Sequence, residues 1–301
     1  MTIYRREVSN TPDQGDQTPN AWHEANRRGW DAVSPEWQAG IDAMGNWRRC
    51  HLEPGLCLRQ EEMKILGDLR GRDACVLGSG DNQVVFALAG LSARVTSVDI
   101  SQTQLDIGDT RAKELGLNVT FVRADVIDLH ALGDGSFDLV YTGGHVAVWV
   151  SDLRSYYAEA VRILRPGGLF MVNEYHPFRR IWKYREDRLE LDSGYFSRGP
   201  HAYDRSDEVP GAEPGSLPSY EFHWTVGDLV TAVMDAGCEL VALKEIGDQQ
   251  ASWETPPLAG LPEDLLIVGR KVHSIRPRGA SREPERSPGS RDRIVYSRVQ
   301  S

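Results

Sequence analysis

The chain has 301 residues, 40% of them hydrophobic and 26% charged, and its net charge is −10. This is the composition of a globular protein with ample material for a core, and the acidity counts against a general nucleic-acid binder. No apolar run approaches the ~18 residues of a membrane span, and the opening "MTIYRREVSN" has no apolar stretch after its charges, so cytoplasmic residence without a secretory signal is expected.

Residues 1–19 are polar and loose, with nothing to pack. "AWHEANRRGWDAVSPEWQAG" (21–40) reads as helical segments broken near Pro35, opening an N-terminal helical part over 20–70. The cysteines Cys50, Cys57, Cys75 and Cys238 are scattered. Cys50, His51 and Cys57 lack a second ligand pair, so buried or free thiols are expected rather than a metal site. "DACVLGSG" (73–80) is a short apolar strand ending in glycine, and "NQVVFALAGLSA" (82–93) is apolar enough for a buried helix. "RVTSVDI" (94–100) alternates like a strand, and "QTQLDIGDTRAKELG" (102–116) has helical spacing with a glycine stop. "NVTFVRADV" and "FDLVYTGG" are two further strands. A helical pattern from Ser151 to Leu164 meets "RPGG", which must end it, and "GLFMVNEY" (168–175) is the fifth strand.

Strand and helix in strict alternation predict right-handed crossovers and a parallel sheet covered on both faces. A 176–224 insertion follows, mixing aromatics with charges and ending in a Pro/Gly-rich loop. Segments of this kind at the carboxyl end of a sheet are usually functional covers, so it is assigned to substrate recognition. Residues 225–273 complete the core: "CELVALKEI" and "EDLLIVGRKV" are strands joined by a loop, with no helix to carry a parallel crossover. From Ser274 to Ser301 the chain holds seven arginines against three acids, leaving −14 on the remainder. That segment is rich in Arg, Ser, Pro and Gly and is expected to be a disordered basic tail, with docking to RNA or an acidic partner as the alternative. No internal repeat is visible.

Ligands of such sheets bind at the carboxyl ends of the strands. There, Gly78 and Gly80 allow a tight turn and close approach of a ligand. Asp81 or Asn82 can cap the next helix, and Asn82 tolerates a left-handed backbone. Asp99 ends the second strand, where a carboxylate accepts ribose hydroxyls. Asp81 sets a negative charge where a pyrophosphate would bind, which favours a cationic cofactor over NAD.

Residues 73–175 resemble a class I S-adenosylmethionine-dependent methyltransferase of the small-molecule type. "VLGSGDN", "VTSVDIS", "VRADVIDL", "FDLVYTGGHVAVWVSDL" and "EAVRILRPGGLFMVNEY" resemble its successive motifs in order and spacing. The resemblance implies a Rossmann-like α/β fold: a seven-stranded, mostly parallel sheet with helices on both faces and an antiparallel last strand. It implies S-adenosyl-L-methionine as cofactor, with a binding set of Gly78, Ser79, Gly80, Asp81, Asp99, Ile100, Asp125, Val126 and Thr142 over the core of 71–175. Gly78 and Gly80 would line the methionine part, Asp99 the ribose, and Asp125 with Val126 the adenine. "WDAVSPEW" resembles the family's N-terminal lid, placing Trp37 beside the cofactor; Trp30 and Trp37 as ordinary core anchors is the other reading. Val76 stands where the family usually has an acid. Asp81 either supplies that charge from across the turn or serves only as a helix cap.

Methyl transfer rests on positioning and exclusion of water, with a base where the acceptor must lose a proton. His176 after the fifth strand, His145 in the fourth motif and His223 closing the insertion are the candidate bases; Glu174 is placed to hold a cationic amine or orient His176. No His/carboxylate spacing suits a metal. The expected activity is methylation of N or O, less readily C, on a small-molecule metabolite, without nucleic acid or membrane, and with homo-oligomerisation open. The alternatives are a nicotinamide-dependent oxidoreductase or a non-catalytic S-adenosylmethionine-binding protein.

If the basic tail contributes no core, truncation after His273 leaves the melting temperature and cofactor affinity nearly unchanged. A melting curve and a ligand titration on the truncated chain check this, and loss of either shows that the tail docks on the fold.

Overall fold

Every second side chain of a strand faces the same way, and the inner strands of this protein are apolar at both parities, so two layers must cover them. The computed structural model, which describes residues 19–183, 188, 190–247 and 261–273, has this arrangement. Its main sheet contains β1 (Asp73–Leu77), β2 (Arg94–Asp99), β3 (Val119–Arg123), β4 (Phe137–Gly143) and β5 (Leu164–Tyr175). Two small hairpins follow, β6 (Trp182–Lys183) with β7 (Glu190–Leu191) and β8 (His201–Asp204) with β9 (Pro218–Glu221). Strands β10 (Cys238–Ile246) and β11 (Asp264–Lys271) complete the main sheet in the order β10-β11-β5-β4-β1-β2-β3. The pairs among β1 to β5 are parallel, whereas β11 runs antiparallel to both β5 and β10. The expected seven strands with an antiparallel last strand are present.

Helices α1 (Pro19–Met44), α2 (Gln60–Leu66), α3 (Gln83–Gly90), α4 (Gln102–Glu114), α5 (Leu153–Arg162) and α6 (Val226–Asp235) surround the sheet. On one face Cys75, Leu77, Val140, Phe170, Val172 and Leu265 pack with Tyr156 and Tyr157 of α5 and Leu229 and Val233 of α6. On the other, Ala74, Val76, Leu139, Tyr141, Met171 and Leu266 pack with Val85, Phe86 and Leu88 of α3. Ile41, Trp47, Leu58, Leu66 and Leu69 join that second cluster. The latter half of the N-terminal part is therefore built into the core.

Two local expectations are corrected. Pro35 does not break the N-terminal helix, which runs unbroken over 26 residues. A proline inside a helix costs about 3 kcal/mol through a lost hydrogen bond and a clash with the preceding turn. Here Pro35 is exposed, while the adjacent Ser34 is buried and donates its hydroxyl to the Trp30 carbonyl. Tertiary contacts of the inner face hold the rest. Helix α5 stops at Arg162, before the "RPGG" segment, which lies inside β5; the strand begins at Leu164, which pairs with Phe137 across an irregularity in register. The expectations for residues 1–18 and 274–301 lie outside the described residues.

Polar side chains fasten α1 across the carboxyl ends of the strands. Asn26 donates to the carbonyls of Trp149 (3.1 Å) and Tyr220 (2.9 Å) and accepts from the Tyr220 amide (2.8 Å). Asp31 accepts from the Ser101 hydroxyl (2.6 Å) and the Thr103 amide (3.3 Å) at the start of α4. Arg111 of α4, almost fully buried, reaches Gln38 and forms an ion pair of 2.9 Å with Asp42. Asn26→Ala strands three polar backbone groups and is expected to cost about 2 kcal/mol, a fall in melting temperature of roughly 4–8 °C. Thermal unfolding followed by circular dichroism measures it; an unchanged melting temperature would mean that the Asn26 hydrogen bonds add nothing to the fastening of α1.

Candidate functional site

Three turns at the ends of β1, β2 and β4 form the floor of a cleft, and α1 forms its roof. The first turn depends on left-handed backbone. Gly78 has φ 62°, and a Cβ there would fall 2.6 Å from both methyls of Val146, so no larger residue fits. Asn82 adopts φ 62°, as expected where a glycine is replaced; its amide donates to the Gly80 carbonyl (2.9 Å) and its oxygen accepts from the Ser97 hydroxyl (2.7 Å).

Asp99 joins the first two turns. One carboxylate oxygen accepts from the Gly80 amide (2.9 Å) and the other from the Ser101 amide (2.9 Å). Burial raises its pKa, and the amides of Ser101, Gly80 and Ile100 oppose that shift by favouring the charged form. Asp125, after β3, accepts from the Ile127 amide (3.2 Å) and lies 2.7 Å from Nδ1 of His23 on α1. Nε2 of His23 accepts from the Ser151 amide (2.9 Å), so the proton sits on Nδ1 and is donated to Asp125.

The cavity between these groups has a volume of about 120 Å³. Its walls are Gly78, Gly80, Asp99, Ile100, Asp125 and Val126 from the strand ends, with Gly144, His145, Val146, Trp149 and Val150 after β4. From above come His23, Asn26, Trp30 and Trp37, and Gln104 closes the side. Trp30 meets Trp37 and Trp149 edge to face, with ring centroids 5.6 and 5.3 Å apart. A second hollow of about 240 Å³, lined in part by Arg27 and Arg123, shares His23, Ile100 and Asp125 with the first. Neither alone reaches the ~300–1,000 Å³ of a typical cofactor site, but together they enter that range. No lysine or arginine is among the described residues of the inner cavity. Two carboxylates and three indoles of the inner cavity suit a cationic ligand, while Arg27 and Arg123 line only the outer hollow.

Of the residues singled out in the sequence, Gly78, Gly80, Asp99, Ile100, Asp125, Val126, Trp37 and His145 line this one cavity. The structure places the others elsewhere. Ser79 lies beneath the turn and donates to the Ser97 hydroxyl (2.8 Å), whose own proton goes to Asn82, and Thr142 is buried against the Tyr156 hydroxyl. Asp81 caps α3 through the Gln83 amide (2.9 Å), and burial raises its pKa; it does not line the cavity.

His176 uses both ring nitrogens outside the cleft. Nδ1 accepts from the Phe178 amide (3.2 Å) and Nε2 lies 2.9 Å from Glu245; burial lowers its pKa, with Glu245 opposing. His223 stacks on His201 at 4.1 Å and lies 3.3 Å from Glu221; burial lowers its pKa as well. Glu174 contacts neither of these histidines in its hydrogen bonds. It accepts instead from the amides of Val146 (3.1 Å) and Ala147 (2.9 Å).

His145 itself has φ 89°, a backbone conformation rare outside glycine, and its ring lies 4.4 Å from that of Tyr175. Arg180 of the insertion lies 3.0 Å from its Nδ1. His23 and Asn26 were missed in the sequence, and Trp30 was weighed only as a core anchor. With Trp37 they fall at intervals of three, four and seven along one helix face, a signal obscured by reading a break at Pro35. Among the described residues no cluster of His, Cys, Asp or Glu suits a metal ion, and no helix is long and apolar enough to cross a membrane.

A family model described as a methyltransferase domain matches residues 76–172. Among curated relatives, a ubiquinone biosynthesis O-methyltransferase of Methylobacterium is 29% identical over 137 residues, 46% of this chain and 54% of that protein. A ubiquinone/menaquinone biosynthesis C-methyltransferase of Bdellovibrio bacteriovorus is 35% identical over 101 residues, 34% of this chain and 42% of that protein. The chain thus spans about half the length of these two. An uncharacterised methyltransferase of Bacillus subtilis is 24% identical, with 72% of this chain and 88% of that protein covered. An S-adenosylmethionine-dependent methyltransferase from Mesorhizobium loti shares the fold with a TM-score of 0.54 at 24% identity, over 69% of this chain and 94% of that one.

The two fully engaged ring nitrogens of His176 make it a fastening between the end of β5 and β10. His176→Ala is expected to cost about 1–2 kcal/mol, roughly 2–8 °C in melting temperature, and to leave ligand affinity of the cleft unchanged. Thermal melting and calorimetry on the variant check both; weakened binding with an unchanged melting temperature would return His176 to the site.

Proposed function

We propose that residues 76–172, which match a methyltransferase domain model, form a class I S-adenosylmethionine-dependent methyltransferase, and that this chain methylates oxygen or nitrogen on a flat, ring-bearing small molecule. The observation that carries the proposal is the make-up of the strand-end cleft. Two carboxylates and three indoles surround one cavity, with a histidine at its far wall. S-adenosylmethionine supplies an already activated methyl group on a cationic sulfur. Asp99 and Asp125 hold the ribose and adenine ends as hydrogen-bond acceptors, and Gly78 lets the backbone approach the ligand closely. Trp30, Trp37 and Trp149 exclude water and favour positive charge.

The acceptor would lie on the side of His145, where Trp149 and Tyr175 offer ring edges and faces. The relatives named for ubiquinone and menaquinone biosynthesis support a planar acceptor ring. A ring hydroxyl must lose its proton on methylation, and His145 is the group placed to take it. In this reading α1 is a lid over the cofactor, and 176–224 is the acceptor cover. The two are joined, since Asn26 of α1 binds the backbone of Tyr220 in β9, and Trp22 packs on Phe222 at 5.4 Å. Closing the lid would therefore bring the acceptor cover with it.

Isothermal calorimetry with S-adenosylhomocysteine is the direct test. The native chain should bind it in about the micromolar range, and NAD should not bind appreciably. Asp99→Ala removes a charge-assisted acceptor worth about 1.5–3 kcal/mol and should weaken binding roughly 10- to 150-fold. Tighter binding of NAD, or an Asp99→Ala variant that binds like the native chain, would overturn the proposal.

A further inference from the structure

Glu174 is a carboxylate with no solvent and no acceptor to touch. It is the penultimate residue of β5 and only 3% exposed, yet it directs one oxygen at two consecutive amides, those of Val146 and Ala147. Those amides belong to the residues immediately after His145. Two hydrogen bonds to one ionisable oxygen fix the peptide plane that leaves His145, and His145 is one of three described non-glycine residues with positive φ. An unfavourable backbone conformation persists only where its surroundings over-determine it. Here the surroundings are Glu174 on one side and the packing of Val146 against Gly78 on the other.

We propose that Glu174 is the positioning residue of the site: its buried carboxylate clamps the Val146–Ala147 amides and so holds the His145 ring against the acceptor side of the cleft. The proposal rests on the methyl-transfer reading, in which His145 takes the acceptor's proton. It differs from orientation of His176 by Glu174, since the hydrogen bonds of Glu174 go to the loop after β4.

The clamp is also sensitive to protons. Burial raises the pKa of Glu174 to about 7, opposed by the Ala147 amide, the Arg180 charge and the Val146 amide, while Asp264 pushes it further up. The groups facing it are Arg180 from the insertion, Asp264 at the start of β11 and the buried hydroxyls of Tyr156 and Tyr157 on α5. Asp264 is itself paired with Arg59 at 2.6 Å. Arg180 connects the two ends of the arrangement, because it also contacts the His145 ring. Above neutrality the ionised oxygen binds both amides strongly; below it, protonation weakens both bonds at once. The loop and the ring should then respond to one common ionisation.

Nuclear magnetic resonance on the full chain tests this without an acceptor. The amide signals of Val146 and Ala147 and the imidazole signal of His145 are followed from pH 5 to 9 in the native chain, Glu174→Gln and Glu174→Ala. In the native chain all three signals should share a step near pH 7. In Glu174→Gln the amides should stay protected from exchange, because the amide oxygen still accepts, but the common step should vanish. In Glu174→Ala the amides should exchange at least ~10-fold faster, and the His145 signal should broaden or split. A merely structural role would alter melting and leave the His145 signal without the shared step. No common step in the native chain overturns the proposal, even where neither variant folds. So does a His145 signal in Glu174→Ala that matches the native one. S-adenosylhomocysteine affinity, measured in parallel, should change less than ~3-fold in either variant. Failure of the native chain to bind that ligand would instead overturn the methyl-transfer reading and leave the positioning result standing.

Discussion

The cleft depends on the two hydrogen bonds that Asp99 accepts. Its carboxylate draws the Gly80 amide from the turn after β1 and the Ser101 amide from the turn after β2, so one side chain sets the spacing of two strand ends. The interaction is possible because the sheet is parallel. Adjacent strands end on the same side, and their outgoing amides converge where a carboxylate at the end of β2 can reach both. Burial raises its pKa, the amides of Ser101, Gly80 and Ile100 oppose that shift by favouring the charged form, and the same hydrogen bonds fix the direction of both oxygens. A ribose hydroxyl arriving at Asp99 would meet a carboxylate already oriented, with little ordering left to do.

The roof follows from the same economy of acceptors. Helix α1 approaches the strand ends through groups that bind the turns themselves: His23 to Asp125, Asp31 to Ser101 and Thr103, Gln38 to the Gly80 carbonyl. Each of these contacts touches a residue at or beside a wall of the cavity. The helix is therefore tied to the binding turns as well as to β9 and the core. Movement of α1 must disturb them, and a ligand that orders the turns must favour the docked helix. Coupling of this kind needs no long pathway, because the latch residues and the lining residues are neighbours or identical.

Much of the fold was legible from periodicity. The alternation of apolar runs located the strands from β1 to β5, and the absence of helical spacing in the sequence between the last two strands predicted their antiparallel pairing, which β10 and β11 show. The floor of the cleft was legible too, because Gly78, Gly80 and Asp99 owe their places to local turn chemistry. Longer-range choices were hidden. Pro35 signals a break only if local backbone cost decides, and in this chain the inner face of α1 outweighs it. That one reading concealed the face carrying His23, Asn26, Trp30 and Trp37. His176 stood in the right segment for a base, but the strand-end register aimed it at Glu245 and the Phe178 amide. Asp81 carried the right charge for a cationic ligand, but its reach was taken by the Gln83 amide, the nearest unsatisfied donor of α3.

Charge divides the cleft along its length. Asp99 and Asp125 occupy one end, and the inner cavity has no described lysine or arginine in its lining. Beyond His145 the sign changes: Arg180 contacts its ring, and Arg179 lies over Tyr175 at 4.2 Å. In the proposed methyl-transfer reading, a cationic donor would be attracted to the acid end and an electron-rich acceptor to the arginine end, so the two ligands would be sorted before they meet. Between them stands a residue held in an unfavourable backbone conformation by a buried carboxylate. A flexible histidine could be drawn toward either end by these opposed fields. Clamping the peptide after it removes that freedom and keeps the ring at the boundary, where a proton released on methyl transfer would have to be taken up.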